Sequence, residues 1–138
     1  MQLEKSKKKL VSLEPENSSG QGLTSIIPDE IRGWSWGACL LGWVWAIGNK
    51  RYDMAVYGFA VGILSFLLGP AGWIVAVVVS IILGARGNES AWQSKEWRSI
   101  RHFKQTQRAW AIWGIPAIFL NAIIMLWVGI SGFGIWHI

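Results

Sequence analysis

Hydrophobic positions in this chain gather into long runs instead of alternating with polar ones. Met54 to Gly84 carries no charged residue, and neither does Trp110 to Ile138. A helix in water needs one wet face, so uncharged stretches of this length are unusual in soluble proteins. A helix that crosses a bilayer needs ~20 mostly apolar residues. The pattern predicts an all-α, small polytopic membrane protein.

Gly69-Pro70 interrupts the first run. One helix over the whole run would measure ~45 Å, too long for a single crossing without strong tilt. Two arms over 54–68 and 71–84, joined by a Gly-Pro turn, fit better. Both ends of this helical hairpin carry basic residues, Lys50 and Arg51 before it and Arg86 after it. Lys and Arg in short loops stay cytoplasmic, which agrees with a hairpin that enters and leaves on one side. Gly58 and Gly62 form a G-x-x-x-G pair in the first arm, a spacing that lets helices pack closely in lipid.

Upstream, Gly33 to Asn49 is uncharged but short and rich in small residues. A helix over 34–48 would rise only ~22 Å, against ~30 Å of hydrocarbon. An interfacial or re-entrant helix is therefore expected there. Asp29 and Glu30 suit its N-terminal approach, and Gly48-Asn49 its stop. Downstream, Asn88 is placed to cap an amphipathic helix over 89–108. On a helical wheel Trp92, Trp97, Ile100, Phe103 and Trp110 share one sector. Arg98, Arg101, His102 and Gln105 lie opposite. A basic face and an aromatic face describe a surface helix on anionic lipid. Its expected membrane contacts are Trp92, Lys95, Trp97, Arg98, Arg101, Phe103, Lys104 and Arg108. A C-terminal membrane span follows over 110–130, with Pro116 as a kink site and Asn121 as a polar helix-packing residue.

Composition strengthens the membrane reading. Charged residues make up 15% of the chain, well below the ~25% of soluble domains. There are 11 tryptophans. Tryptophan favours the headgroup layer, where the ring is buried and the N–H stays wet. Trp34, Trp36, Trp43, Trp45, Trp110, Trp113, Trp127 and Trp136 are accordingly expected as interface anchors. Net charge is +5, and no Lys or Arg follows Arg108. That asymmetry predicts a multi-pass membrane protein with a cytoplasmic N-terminus. Residues 1–27 hold a Lys cluster followed by a polar Ser/Gly/Glu mixture with no apolar segment. They read as a flexible cytoplasmic tail rather than a signal peptide, ahead of a helical membrane domain over 28–138.

Candidate chemistry is sparse. His102 and His137 fall on opposite sides of the last span, and Cys39 is the one cysteine. No metal site, cofactor or intramolecular disulfide is expected. Asp53, Glu89 and Glu96 are the only acids after residue 30, each with a helix-end or ion-pair role available. Phosphate-loop, hydrolase-elbow and zinc-protease motifs are missing. The expected spans contain no ionisable group, which argues against pumps and ion-coupled transporters. Basic residues interleaved with aromatics also suit nucleic acid. The flanking apolar runs favour lipid phosphate over it. The expected partners are a bilayer with anionic lipids, further copies of the chain, or other membrane proteins.

Three blocks carry a resemblance. They are P-D-E-I-R-G-W-S-W-G-A-C-L-L-G-W-V-W-A-I-G-N at 28–49, G-A-R-G-N-E-S-A-W at 84–92 and Q-R-A-W-A-I-W-G at 107–114. Together they resemble a family of small uncharacterised bacterial membrane proteins with G-W-N-W-G-A-F, G-N-x-x-A-W and Q-R-x-W-A-x-W-G blocks. Ser35 and Cys39 stand where the family pattern has Asn and Phe. The resemblance implies a membrane fold and points to no activity. Some relatives carry the label ribonuclease G, the name of a large soluble enzyme with an RNA-binding barrel and acidic metal ligands. This chain shows neither feature. A non-enzymatic scaffold or modulator of membrane or protein assemblies is the leading expectation. An oligomeric channel or small-solute conduit is the second, and a membrane-tethered RNA-processing factor the third.

Overall fold

A computed structural model describes the backbone of residues 1–11 and 17–135, and the side chains of these except 7–11, 125 and 128–135. Its described residues form α-helices, two 3-10 turns and loops, with no strand among them. The helices are α1 (Gln2–Val11), α2 (Trp36–Leu41), α3 (Trp43–Gly48), α4 (Tyr52–Leu68), α5 (Pro70–Ser94) and α6 (Ile100–Ile135).

The hairpin forms where the sequence places it. Gly69 takes a left-handed φ of 59°, and Pro70 opens α5 at a position that needs no backbone N–H. α4 and α5 pack against each other. Gly72 packs against the Ser65 backbone, where an added Cβ would lie 2.5 Å from Ser65 Cα. Ser65 turns its hydroxyl onto its own helix, donating to the Val61 carbonyl at 2.6 Å.

α5 does not stop at Gly84. It runs on through Arg86, Gly87 and Asn88 to Ser94. Its character changes on the way: Trp73, Ile74, Val77, Val78, Ile81 and Ile82 are exposed, whereas Gly84, Gly87, Ser90, Ala91 and Trp92 are buried. α6 repeats this in reverse order. Phe103, Gln107 and Gly114 are buried, while Ile115, Ile118, Phe119, Leu120 and Ile123 are exposed. The molecule therefore has a packed base and bare apolar shafts. Among the described residues one helix, Pro70–Ser94, is long and apolar enough to cross a membrane, and only 17% of its most apolar stretch is buried.

The 34–48 region is two short helices instead of one. Gly42, at φ 47° and ψ −112°, ends α2 and starts α3. That conformation suits glycine alone, so the chain turns there. α2 is the hub of the base and packs on both α5 and α6, while α3 packs on α4. Ser35 caps α2 by accepting a hydrogen bond from the Ala38 N–H at 3.3 Å.

Several tryptophans reach their places because glycine stands opposite. An added Cβ at Gly84 would meet the Trp34 ring at 2.6 Å, and one at Gly48 the Trp110 ring at 2.2 Å. Gly37 faces Trp110 Cβ, and Gly58 faces Trp43. The G-x-x-x-G pair is thus divided: Gly58 receives Trp43 of α3, and Gly62 has nothing within 4 Å of its added Cβ. Asn121 is exposed on α6, and its side chain makes no hydrogen bond to the described residues.

The N-terminal stretch is partly built into the base. α1 covers Gln2–Val11, and 12–16 lie outside the described residues. Residues 17–31, largely expected as loose tail, fold over the base. The Gly20 N–H donates to the Trp92 carbonyl at 2.9 Å, and Ser18 and Ile26 exchange hydrogen bonds at 2.8 and 3.1 Å. Ile31 is buried in the core. A polar composition misled the expectation, because these residues order through backbone and hydroxyl bonds as well as through burial of Ile31 and partial burial of Ile27.

Candidate membrane-surface site

The expected surface helix over 89–108 is broken. Lys95 adopts an extended backbone that ends α5, and α6 begins only at Ile100. Ser94 turns its hydroxyl back onto the Ser90 carbonyl at 2.9 Å and across to the Asn49 carbonyl at 2.8 Å. Ser99 then caps α6, its hydroxyl accepting from the His102 N–H at 3.1 Å. A single helical wheel over the whole stretch therefore mixed two helices and a loop.

The aromatic cluster does converge, but it faces inward. Trp92 and Trp97 are each 2% exposed and Phe103 is 1% exposed. Phe103 meets Trp97 and Trp92 edge-on, with ring centroids 4.9 and 5.5 Å apart. Each indole N–H is satisfied inside the fold, Trp92 by the Ile26 carbonyl at 3.1 Å and Trp97 by the Ala91 carbonyl at 2.9 Å. The Ser19 hydroxyl accepts from the Trp97 backbone N–H at 2.8 Å, and the Asn17 amide donates to the Trp97 carbonyl. These three aromatics are core residues and make no lipid contact. The burial that a surface helix would have sought in lipid is supplied by residues 17–31.

Trp45 is corrected in the same way. It is 0% exposed and donates from Nε1 to Gln107 Oε1 at 2.9 Å. Gln107 Nε2 donates to Asn49 Oδ1 at 2.8 Å, and Asn49 Nδ2 donates to the Trp45 carbonyl at 2.9 Å. This closed polar circuit ties α3 to α6 and leaves no member unpaired, as a buried amide requires. Of the other expected anchors, Trp34, Trp36, Trp43, Trp113 and Trp127 are exposed and Trp110 is half-buried. Trp136 lies outside the described residues.

The expected cations remain outside. Arg98, Arg101, Lys104 and Arg108 are exposed around the first turns of α6. Lys95 is half-buried, its ammonium 4.7 Å from the Trp97 ring centroid. Lys104 reaches Glu30 at 3.3 Å, and Arg32 reaches Asp29 at 3.3 Å. Both pairs are exposed and so contribute little stability. Arg108 has no carboxylate within 4 Å among the described residues.

Two hollows lie along this cationic side. The first, of about 290 Å³, has Arg32, Trp34, Asn88, Lys104 and Arg108 in its wall. Asn88 was expected to cap a helix. It sits within α5 instead, its Nδ2 3.4 Å from the carbonyls of Gly33 and Trp34, while its Oδ1 is buried without a partner among the described residues. The second hollow, of about 490 Å³, is walled mainly by Leu40, Ile112 and Ile115. Trp36, Arg108 and Ala111 belong to both. Sequence reasoning missed Arg32 and Asn88 as wall residues, because the first lies about half the chain before α6 and the second was assigned as a helix cap.

Cys39 lies on α2, and burial pushes its thiol above the usual range. Little thiolate forms at neutral pH, so the thiol is a poor nucleophile. No three His, Cys, Asp or Glu side chains converge among the described residues. Comparison with family models, characterised proteins and solved structures gave no match.

Proposed function

We propose that this chain is a non-enzymatic integral membrane protein of the bacterial inner membrane that scaffolds or modulates membrane or protein assemblies. The observation that carries the reading is the contrast between base and shafts. The base pairs Trp45, Gln107 and Asn49 and the indoles of Trp92 and Trp97 internally, whereas Val56, Phe59, Phe66, Leu67, Trp73 and Ile74 stand exposed on the hairpin. So large an apolar surface is not stable in water and calls for lipid or a partner. The cations at the start of α6 and the pair Lys50 and Arg51 before α4 then lie at the cytoplasmic headgroup layer. Trp34, Trp36 and Trp43 sit in the same layer as exposed anchors.

Alkaline extraction of cell membranes tests the insertion. The protein should remain in the membrane pellet and leave it only with detergent; release by alkali alone would refute an integral protein. Topology follows from single cysteines in a Cys39→Ala background. Ala71→Cys, at the hairpin tip, should label with an impermeant maleimide from the periplasmic side. Arg101→Cys should label only after the inner face is opened. Equal labelling of both in intact cells would overturn the orientation. The scaffolding role predicts that crosslinking in native membranes yields a defined partner or a homo-oligomer, and a strictly monomeric product would count against it.

A further inference from the structure

We propose that the two hollows form one binding site for a single anionic phospholipid, with the phosphate headgroup in the first and an acyl chain in the second. This rests on the membrane reading above and specifies its ligand. The first hollow holds three cations, Arg32, Lys104 and Arg108, against one carboxylate, Glu30. That excess of positive charge selects an anion. Arg32 pairs with Asp29 and Lys104 with Glu30, whereas Arg108 has no carboxylate within 4 Å among the described residues, so its guanidinium is available for two parallel hydrogen bonds to phosphate oxygens.

The second hollow is not suited to a free anion. Leu40, Ile112 and Ile115 give it an apolar wall, and Ile112 and Ile115 are exposed. Trp36 and Arg108 stand at the junction, one flat and apolar, the other charged. A polar end and an apolar end sharing a wall match an amphiphile rather than a nucleotide or inorganic phosphate. Their sizes fall at the scale of small-ligand sites, ~300–1,000 Å³.

The site also lies where a lipid would meet it. Its cations belong to the folded base, and Ile112 and Ile115 mark the point on α6 where the bare shaft begins. A headgroup at the base and a chain along the shaft reproduce the orientation of a bilayer lipid.

The test uses the full-length chain in neutral detergent micelles, titrated with phosphatidylglycerol, phosphatidylcholine or glycerol phosphate and followed by native mass spectrometry and thermal unfolding. Phosphatidylglycerol should bind with a one-to-one stoichiometry and raise the unfolding temperature, with at least about tenfold preference over phosphatidylcholine. Glycerol phosphate alone should bind more weakly than the lipid, since it lacks the chain. Arg108→Gln and Lys104→Gln alter exposed residues and should each weaken phosphatidylglycerol about tenfold or more without lowering the unfolding temperature of the lipid-free protein. Ile112→Trp, which fills the groove, should weaken the lipid and leave glycerol phosphate unchanged. Equal binding of the two lipids, unaltered affinity in Arg108→Gln, or glycerol phosphate binding as tightly as the lipid would each overturn the site. Alkaline extraction of Arg108→Gln separates the two readings: a variant that stays in the membrane yet lacks lipid preference leaves insertion standing, and a wild-type protein freed by alkali removes both.

Discussion

Trp45→Ala is expected to cost about 3–5 kcal/mol, the range for deleting a large buried aromatic. Against a typical total of ~5–15 kcal/mol, that leaves little or no folded protein at working temperature. The loss has two sources. The ring of this α3 residue is fully buried against Gly37 of α2 and Gln107 of α6, and its removal opens a cavity. Its indole N–H is also the partner of Gln107 Oε1, which holds Asn49 through its amide. Trp45→Phe separates the two sources: it keeps most of the packing but orphans Gln107 Oε1, at about 1–3 kcal/mol. Gln107→Leu should cost more than Trp45→Phe, since it strands both the indole N–H and Asn49 Oδ1. The comparison that decides is with exposed tryptophans. Trp36→Ala and Trp113→Ala should change thermal unfolding in detergent far less, because their rings contact little protein. Were Trp45→Ala as mild as these, the indole would be a lipid anchor and the buried circuit would be wrong.

That contrast also marks where the sequence was legible. The hairpin was readable because its signals are local: an uncharged run, a Gly-Pro turn in its middle and cations at both ends. Helix content followed from the same patterns. The base was not readable in this way. Tryptophan enrichment has one signature for two environments, since an indole with a satisfied N–H is as stable in a core as in the headgroup layer. What separates Trp45 from Trp36 is Gln107 on another helix. What seats Trp34 at the edge of the base is Gly84, far along the chain. The 89–108 stretch failed for a more tractable reason. Ser99 is an N-cap residue and could have been read as a helix start. The wheel gave it no weight because Trp92, Trp97 and Phe103 shared a sector. The cluster was correctly grouped, but its partner was assigned as lipid instead of residues 17–31. Among the cations the error was smaller: Lys104 and Arg108 were named for lipid contact, and both line the hollow that Arg32 and Asn88 complete.

Glycine substitutions in the hairpin should divide sharply, and in the opposite sense to the G-x-x-x-G pattern. Gly72→Val is expected to be the damaging change. A Cβ at that position meets Ser65 backbone atoms, Cα at 2.5 Å and the carbonyl oxygen at 2.6 Å. Backbone cannot swing aside as a side chain can, so the arms must separate near their tip. Overpacking of this kind costs about 1–3 kcal/mol, and the added branch of valine places it toward the upper end. Gly72→Ala should already destabilise, since the first added carbon makes the clash. Gly62→Ala should behave in the reverse way. Nothing lies within 4 Å of its added Cβ, and replacing a mid-helix glycine by alanine stabilises by roughly 1 kcal/mol. Thermal unfolding in detergent measures both. If Gly62→Ala destabilised as strongly as Gly72→Ala, Gly62 would be packed against a second molecule in the micelle. Size-exclusion chromatography would then show a larger wild-type species that the variant loses. A neutral or stabilising Gly62→Ala alongside a damaging Gly72→Ala would place the tight contact of the hairpin between α4 and α5 themselves, at Ser65 and Gly72, and leave the Gly62 side of α4 to lipid.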